Sequence, residues 1–225
     1  MTKIEEFRRG WLVILACAIG VGVGLTGLPF YTFGVFINPL EEAYGWSRSS
    51  TAISMMVLNA GTLFLSPLLG ILMDRVGVKA IAVPSLIGLA IGMLALSYSG
   101  GSILHFYAAW FLVAVLGSGT TPLTWTRAVT ASFNKMRGLA LGLTLMGTGL
   151  ASMFGPRLVQ VAISAGGWEA GFRAMSVFVL LVAAPLAFFG LKSKRAASDQ
   201  VSDATPATGL CLLYTSDAAD EVSWG

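Results

Sequence analysis

The scarcity and placement of charge restrict this chain more than any other feature. Only 11% of its 225 residues are charged, against about a quarter in an ordinary soluble domain. Those charges gather in short breaks between long apolar runs. So few ions cannot build a solvated shell, so most of the surface must face lipid. A helix rising about 1.5 Å per residue needs about 20 apolar residues to cross the hydrocarbon. Six stretches qualify, at roughly 11–37, 49–73, 80–98, 103–125, 138–164 and 171–191. Turn chemistry separates them at Asn38-Pro39, Gly45-Trp46-Ser47, Ser99-Gly100-Gly101-Ser102 and Gly166-Gly167-Trp168. The predicted fold is an all-α membrane protein, a bundle of six transmembrane helices over residues 1–195.

The cations set the orientation. Eleven of the fourteen Lys and Arg residues fall on one side: Lys3, Arg8, Arg9, Arg75, Lys79, Arg127, Lys135, Arg137, Lys192, Lys194 and Arg195. Arg48, Arg157 and Arg173 fall on the other. The positive-inside rule then predicts cytoplasmic termini, and an even number of spans demands both ends on one side. The formal charge of +3 lies at helix ends rather than on one face, which argues against a nucleic-acid partner. Cys17 lies inside an apolar run and Cys211 in an atypical tail, so neither a disulfide framework nor a metal site is expected, and no cofactor is implied.

Polar residues in hydrocarbon seek the bundle interior or a water-filled path. On that ground Tyr31, Asn59, Thr121, Thr124, Trp125 and Thr148 are expected to line a cavity formed by spans 1, 2, 4 and 5. Asn59 also fits a plain interhelical hydrogen bond. The glycines Gly20, Gly22, Gly24 and Gly27, followed by Pro29, fit either a packing kink or a helix locally broken at a substrate site. Gly138 and Gly142, continued by Gly147, Ala151 and Gly155, predict close helix packing, or a surface along which the fifth helix slides. Arg157 lies about 28 Å along its helix from Gly138. It either snorkels to the outer interface or binds an anion at a cavity mouth. Gly117-Ser118-Gly119 with His105 invites comparison with an intramembrane serine protease. Thirteen residues separate Ser118 from His105, about 20 Å along one helix and far beyond hydrogen-bond reach. An enzyme is not expected.

Several stretches carry a resemblance to a known family. Gly70-Ile71-Leu72-Met73-Asp74-Arg75-Val76-Gly77-Val78-Lys79 resembles the loop between helices 2 and 3 of the major facilitator superfamily of transporters. Phe133-Asn134-Lys135-Met136-Arg137-Gly138, running to Gly142 and Gly147, is similar to the fifth-helix signature of its monocarboxylate-porter branch. Gly45-Trp46-Ser47-Arg48 and Gly166-Gly167-Trp168 with Gly171-Phe172-Arg173 resemble the openings of helices 2 and 6 there. Two departures stand out. Val78 takes the place of a basic residue in the loop, and of the acidic-glycine-tryptophan signature of the first helix only Gly10-Trp11 matches.

The resemblance implies one half of a major facilitator fold, with Gly70, Asp74, Arg75, Gly77 and Lys79 at a cytoplasmic gate. It also implies a small organic anion as substrate, carried with protons across a bacterial inner membrane. A missing C-terminal half of the same protein would complete the transporter. A dimerising six-helix half-transporter, a non-transporting membrane scaffold and a transporter of a non-carboxylate small molecule are the alternatives. Residues 196–209 read as the start of a cytoplasmic linker. From 210 the composition changes, and Cys211 to Glu221 resembles one translated frame of a sequencing-library adapter. Residues 210–225 are therefore expected to be non-native.

Overall fold

The computed structural model describes residues 3–191, and the expected linker and terminal tail lie outside them. The described residues form helices joined by short turns, with no strand among them. The first span is made of α1 (Lys3–Val23) and α2 (Leu28–Tyr44), and the second of α3 (Arg48–Val76). The third is α4 (Val78–Ser97), and the fourth comprises α5 (Ile103–Gly117), a 3₁₀ turn (Ser118–Thr120) and α6 (Pro122–Ser132). A long helix, α7 (Arg137–Phe178), continues through a π turn (Val179–Ala183) into α8 (Ala184–Gly190).

Five helical stretches are long and apolar enough to cross a bilayer, the last of them 54 residues. At about 1.5 Å per residue that last stretch exceeds twice a ~30 Å hydrocarbon core. It is broken at Gly166 (φ −153°, ψ 22°) and Gly167 (φ 81°, ψ 177°), a left-handed conformation that glycine adopts without steric cost. Contacts with the first span show the reversal. Gly147 abuts Ala18 and Gly155 abuts Leu28 on the way out, whereas Gly171 abuts Phe36 and Gly190 abuts Leu12 and Ala16 on the way back. The break therefore divides the stretch into the expected fifth and sixth spans.

Local sequence sets the ends. Pro29 sits in the first turn of α2, where no N–H partner is needed. Ser47 caps α3, its side chain accepting from the Ser50 amide at 3.2 Å. Gly77 (φ 90°) closes α3 by donating its N–H to the Met73 carbonyl at 2.9 Å.

The core runs the depth of the bundle, from Phe133 and Leu191 near the basic loops to an aromatic cluster at the opposite end. There Phe36 stacks on Phe172 with centroids 4.0 Å apart, and Trp110 meets Phe33, Phe106 and Phe172 edge-on. Tyr44, Trp46 and Trp168 extend the cluster to the turn region. Such pairs add about 0.5–1.5 kcal/mol each beyond burial. By contrast α3 leaves a long face uncovered, with Phe64 78% and Met56 71% exposed.

Candidate functional site

Two spans are broken at the same level. The Gly24–Gly27 turn lies halfway along the 40-residue stretch Glu5–Tyr44, and the turn at Ser118–Thr121 lies halfway along the 30-residue stretch Ile103–Ser132. They touch. The Leu25 N–H, freed by the break, donates to the Thr120 hydroxyl at 3.0 Å, and that hydroxyl donates to the Gly117 carbonyl at 2.7 Å. The Trp125 indole N–H donates to the Thr120 carbonyl at 3.0 Å, and its ring packs beside Gly20. Each break thus supplies partners that a continuous helix would have satisfied internally. The glycine run does produce a broken first helix. The matching break in the fourth span went unread, although Gly117, Thr121 and Pro122 carry its signal: Thr121 is extended (φ −69°, ψ 159°) and Pro122 opens α6.

Around these breaks the expected cavity residues divide. Tyr31 is 41% exposed, Asn59 is exposed, and Thr121 and Thr148 are half-buried. Thr124 and Trp125 are fully buried, so neither is open to a cavity in this structure. Asn59 turns its amide back on its own helix, donating to the Met55 carbonyl at 2.6 Å. The Thr124 hydroxyl is buried with no hydrogen-bond partner among the described residues.

An open groove of about 740 Å³ lies between α2 and α7 on the side of the aromatic core. Gly34, Asn38 and Glu42 form one wall, with Gln160, Ile163 and Trp168 opposite.

At the basic end the Gly70–Lys79 loop makes specific contacts. Asp74 pairs with Arg127 of α6 at 2.7 Å, and Arg127 also donates to the Gly70 carbonyl at 3.4 Å. The side chains are 71% and 38% exposed, so the pair is screened and its net contribution is about 0–1 kcal/mol. Lys79 stands over the Phe188 ring, 4.4 Å from its centroid. Arg75 is exposed on the same turn.

A second cluster joins the first span to the fifth. Glu6 accepts from the Asn134 amide at 2.7 Å and from the Lys135 amide at 3.2 and 3.3 Å. Arg137 donates to the Phe133 carbonyl at 3.3 Å and the Thr130 carbonyl at 3.0 Å, holding the open end of α6. Glu6 escaped the sequence reading because it sits four residues ahead of Gly10-Trp11, with nothing local to mark its partner. Gly138 and Gly142 are exposed, with nothing within 4 Å of an added Cβ. The tight helix contact lies further along, at Gly147 and Gly155.

A multi-pass helical bundle with paired mid-depth breaks and a charged loop at one end defines the class: a membrane protein built like part of a secondary transporter. The Major Facilitator Superfamily model matches residues 11–216, and the chain belongs to that superfamily. Riboflavin transporter RibJ of Trypanosoma brucei brucei is 31% identical over 134 residues, 58% of this chain and 24% of that protein. The uncharacterized MFS-type transporter YcxA of Bacillus subtilis is 23% identical over 189 residues, 82% of this chain and 45% of that protein. Monocarboxylate transporter 13 of Rattus norvegicus is 26% identical over 183 residues, covering 80% of this chain and 41% of that protein. The chain therefore spans less than half the length of these relatives.

Proposed function

We propose that this chain is the N-terminal six-helix half of a secondary transporter working by alternating access, with Asp74, Arg75 and Lys79 at its cytoplasmic gate. The single observation that carries the reading is the pair of mid-depth breaks braced through Leu25 and Thr120. Discontinuous helices near the bilayer midplane are where transporters of this kind hold substrate. In this reading Tyr31, Asn59, Thr121 and Thr148 border the cavity, while Thr124 and Trp125 hold the fourth span against the first. The basic end faces the cytoplasm of a bacterial cell, and the uncovered face of α3 receives the C-terminal half of the same protein. The substrate is a small organic anion moved with protons, by analogy with the monocarboxylate transporter relatives.

The uncovered face of α3 also suits a second copy of the chain. The test is uptake of radiolabelled monocarboxylates into proteoliposomes reconstituted with the protein expressed from its full-length gene, under an imposed pH gradient. Gradient-driven accumulation is expected. If none of a panel of short-chain acids is taken up, the proton-coupled organic-anion reading fails. Crosslinking in native membranes separates a single twelve-span chain from a dimer.

A further inference from the structure

A pocket of about 340 Å³ opens between the start of α4 and the end of α8. Val76, Ala80, Val83, Pro84 and Phe188 wall it, and Lys79 is the one charged side chain in its lining. The Lys79 ammonium stands 4.4 Å from the centroid of the Phe188 ring, so the third and sixth spans meet at the pocket. Lys79 is half-buried and makes no ion pair or hydrogen bond among the described residues. Burial without a counter-charge is costly for an ammonium at the edge of hydrocarbon.

The apolar wall continues past the pocket. Ala80, Pro84, Ile87 and Ile91 of α4 are all exposed, and their spacing by three and four keeps them on one helix face. From Ala80 to Ile91 is about 16 Å along the helix, close to the ~15 Å half-thickness of the hydrocarbon. On the sixth span Phe189 is 80% and Leu181 68% exposed. The site is thus a single cation at the head of an apolar strip as deep as one leaflet. No other polar side chain lines it, so a water-soluble solute would leave most of the wall without a partner. A phospholipid matches both parts, with its phosphate at the bilayer surface and a chain below.

We propose that this pocket holds an anionic phospholipid, its phosphate on the Lys79 ammonium and one acyl chain along Pro84, Ile87 and Ile91. The proposal needs the basic end to lie at a bilayer surface and is independent of what the protein transports. The phosphate supplies the counter-charge that Lys79 lacks among the described residues. A zwitterionic lipid carries the same phosphate, but its own ammonium competes with Lys79, so a headgroup of net negative charge is selected. The Gly70–Lys79 loop then divides its charges between two kinds of partner. Asp74 reaches α6 through Arg127 at 2.7 Å, whereas Lys79 turns to α8 and the lipid beside it. The charge of the surrounding leaflet therefore acts on the same turn that carries the Asp74–Arg127 pair.

The test is photocrosslinking in nanodiscs, with the protein expressed from its full-length gene and tracers of phosphatidylglycerol or phosphatidylcholine carrying a diazirine in one acyl chain. Labelled peptides are quantified by mass spectrometry. At equal tracer fraction, peptides of α4 and α8 are expected to take phosphatidylglycerol over phosphatidylcholine by roughly fivefold, the worth of one cation at an anionic surface. Lys79→Gln is expected to bring that ratio close to one, and Lys79→Arg to keep it. Ala80→Trp, which fills the pocket from an exposed position, is expected to reduce labelling there by both tracers. Lys135→Gln, at the same end of the bundle but outside the pocket lining, is expected to leave the ratio unchanged. Equal unfolding midpoints across the variants exclude misfolding as the cause. Equal labelling by the two tracers in the parent overturns the proposal, as does a ratio that survives Lys79→Gln. A fall in Lys135→Gln as large as in Lys79→Gln assigns the preference to diffuse surface charge and also overturns it. So does loss of the preference on adding glycerol 3-phosphate, which makes the site one for a soluble anion. Absence of lipid label with crosslinks from α4 to a second copy gives the face to a protein and overturns it too.

Discussion

Gly22→Ala tests whether the first and fifth spans are locked together by backbone contact. A Cβ added at Gly22 lies 2.7 Å from the Gly147 carbonyl oxygen and 3.2 Å from its carbon. Ordinary contact begins at 3.4 Å, so the methyl group arrives 0.7 Å too close. The obstacle is backbone, which no rotamer change removes, and the reciprocal position is as tight because Gly147 abuts the Ala18 carbonyl. The helices must separate by most of that distance over their closest crossing. Overpacking of this kind costs about 1–3 kcal/mol. Gly34, on the same span, has nothing within 4 Å of an added Cβ, so Gly34→Ala keeps only the helix-propensity gain of up to ~1 kcal/mol.

For a bundle of this size each kcal/mol moves the midpoint by about 2–4 °C. Thermal unfolding in detergent, followed by loss of monodisperse protein, is expected to fall by roughly 2–12 °C for Gly22→Ala. Gly34→Ala is expected to stay level or rise by up to ~4 °C. A Gly22→Ala protein as stable as its parent refutes the crossing geometry. So does a Gly34→Ala loss of equal size.

Thr120→Val removes the acceptor of the buried Leu25 amide and should cost about 1–3 kcal/mol. Thr124→Val removes a buried hydroxyl with no partner among the described residues and should be neutral or stabilising; paired unfolding curves check both signs. Asp74→Asn should slow transport while shifting the unfolding midpoint little, because the Asp74–Arg127 pair is largely exposed; normal uptake in that variant would count against a gate role. Glu6→Gln takes the charge from the acceptor of the Asn134 and Lys135 amides, so hydrogen exchange at those two amides should accelerate selectively, and unchanged protection would dismiss the clasp.

The spans were legible because hydrocarbon imposes a length and excludes charge, and both are written residue by residue. The charged turn between the second and third spans was legible for the same reason, since Asp74, Arg75 and Lys79 have nowhere to sit but a membrane surface. Contacts between distant elements were not legible. Nothing near Glu6 announces the Asn134 amide 128 residues away, and nothing near Asp74 singles out Arg127. Polarity also misled in one respect. Thr124 and Trp125 are polar enough to suggest a cavity, yet in the structure they fill the space between two helices. Many of the bundle's hydroxyls turn back onto carbonyls three or four residues earlier, as Thr32 does to Leu28 and Thr144 to Ala140, so a hydroxyl in a membrane helix is weak support for a water path. The stripe of small residues raised the idea of a sliding fifth helix. The backbones approach closely at Gly22 and Gly147, which is the packing that such small residues permit.

These contacts bear on the proposed alternating access. The first span is tied to its neighbours at three levels: by Glu6 at the basic end, by Leu25 and Gly22 halfway, and by Phe36 against Phe172 beyond. Breaking the middle tie strands a buried amide at about 1–3 kcal/mol, and parting the aromatic stack forfeits about 0.5–1.5 kcal/mol more. The Asp74–Arg127 pair costs about 0–1 kcal/mol to exchange for water or another partner. A protein that must open and close repeatedly places its cheap contacts where the motion occurs and its expensive ones where it does not. On the proposed alternating-access reading, that ordering would have the bundle move as one body, with the motion taken up at the Gly70–Lys79 loop and the uncovered face of α3. Disulfide pairs engineered across the first and fifth spans should therefore leave transport intact, and a locked pair that abolishes uptake would show that the bundle itself must flex.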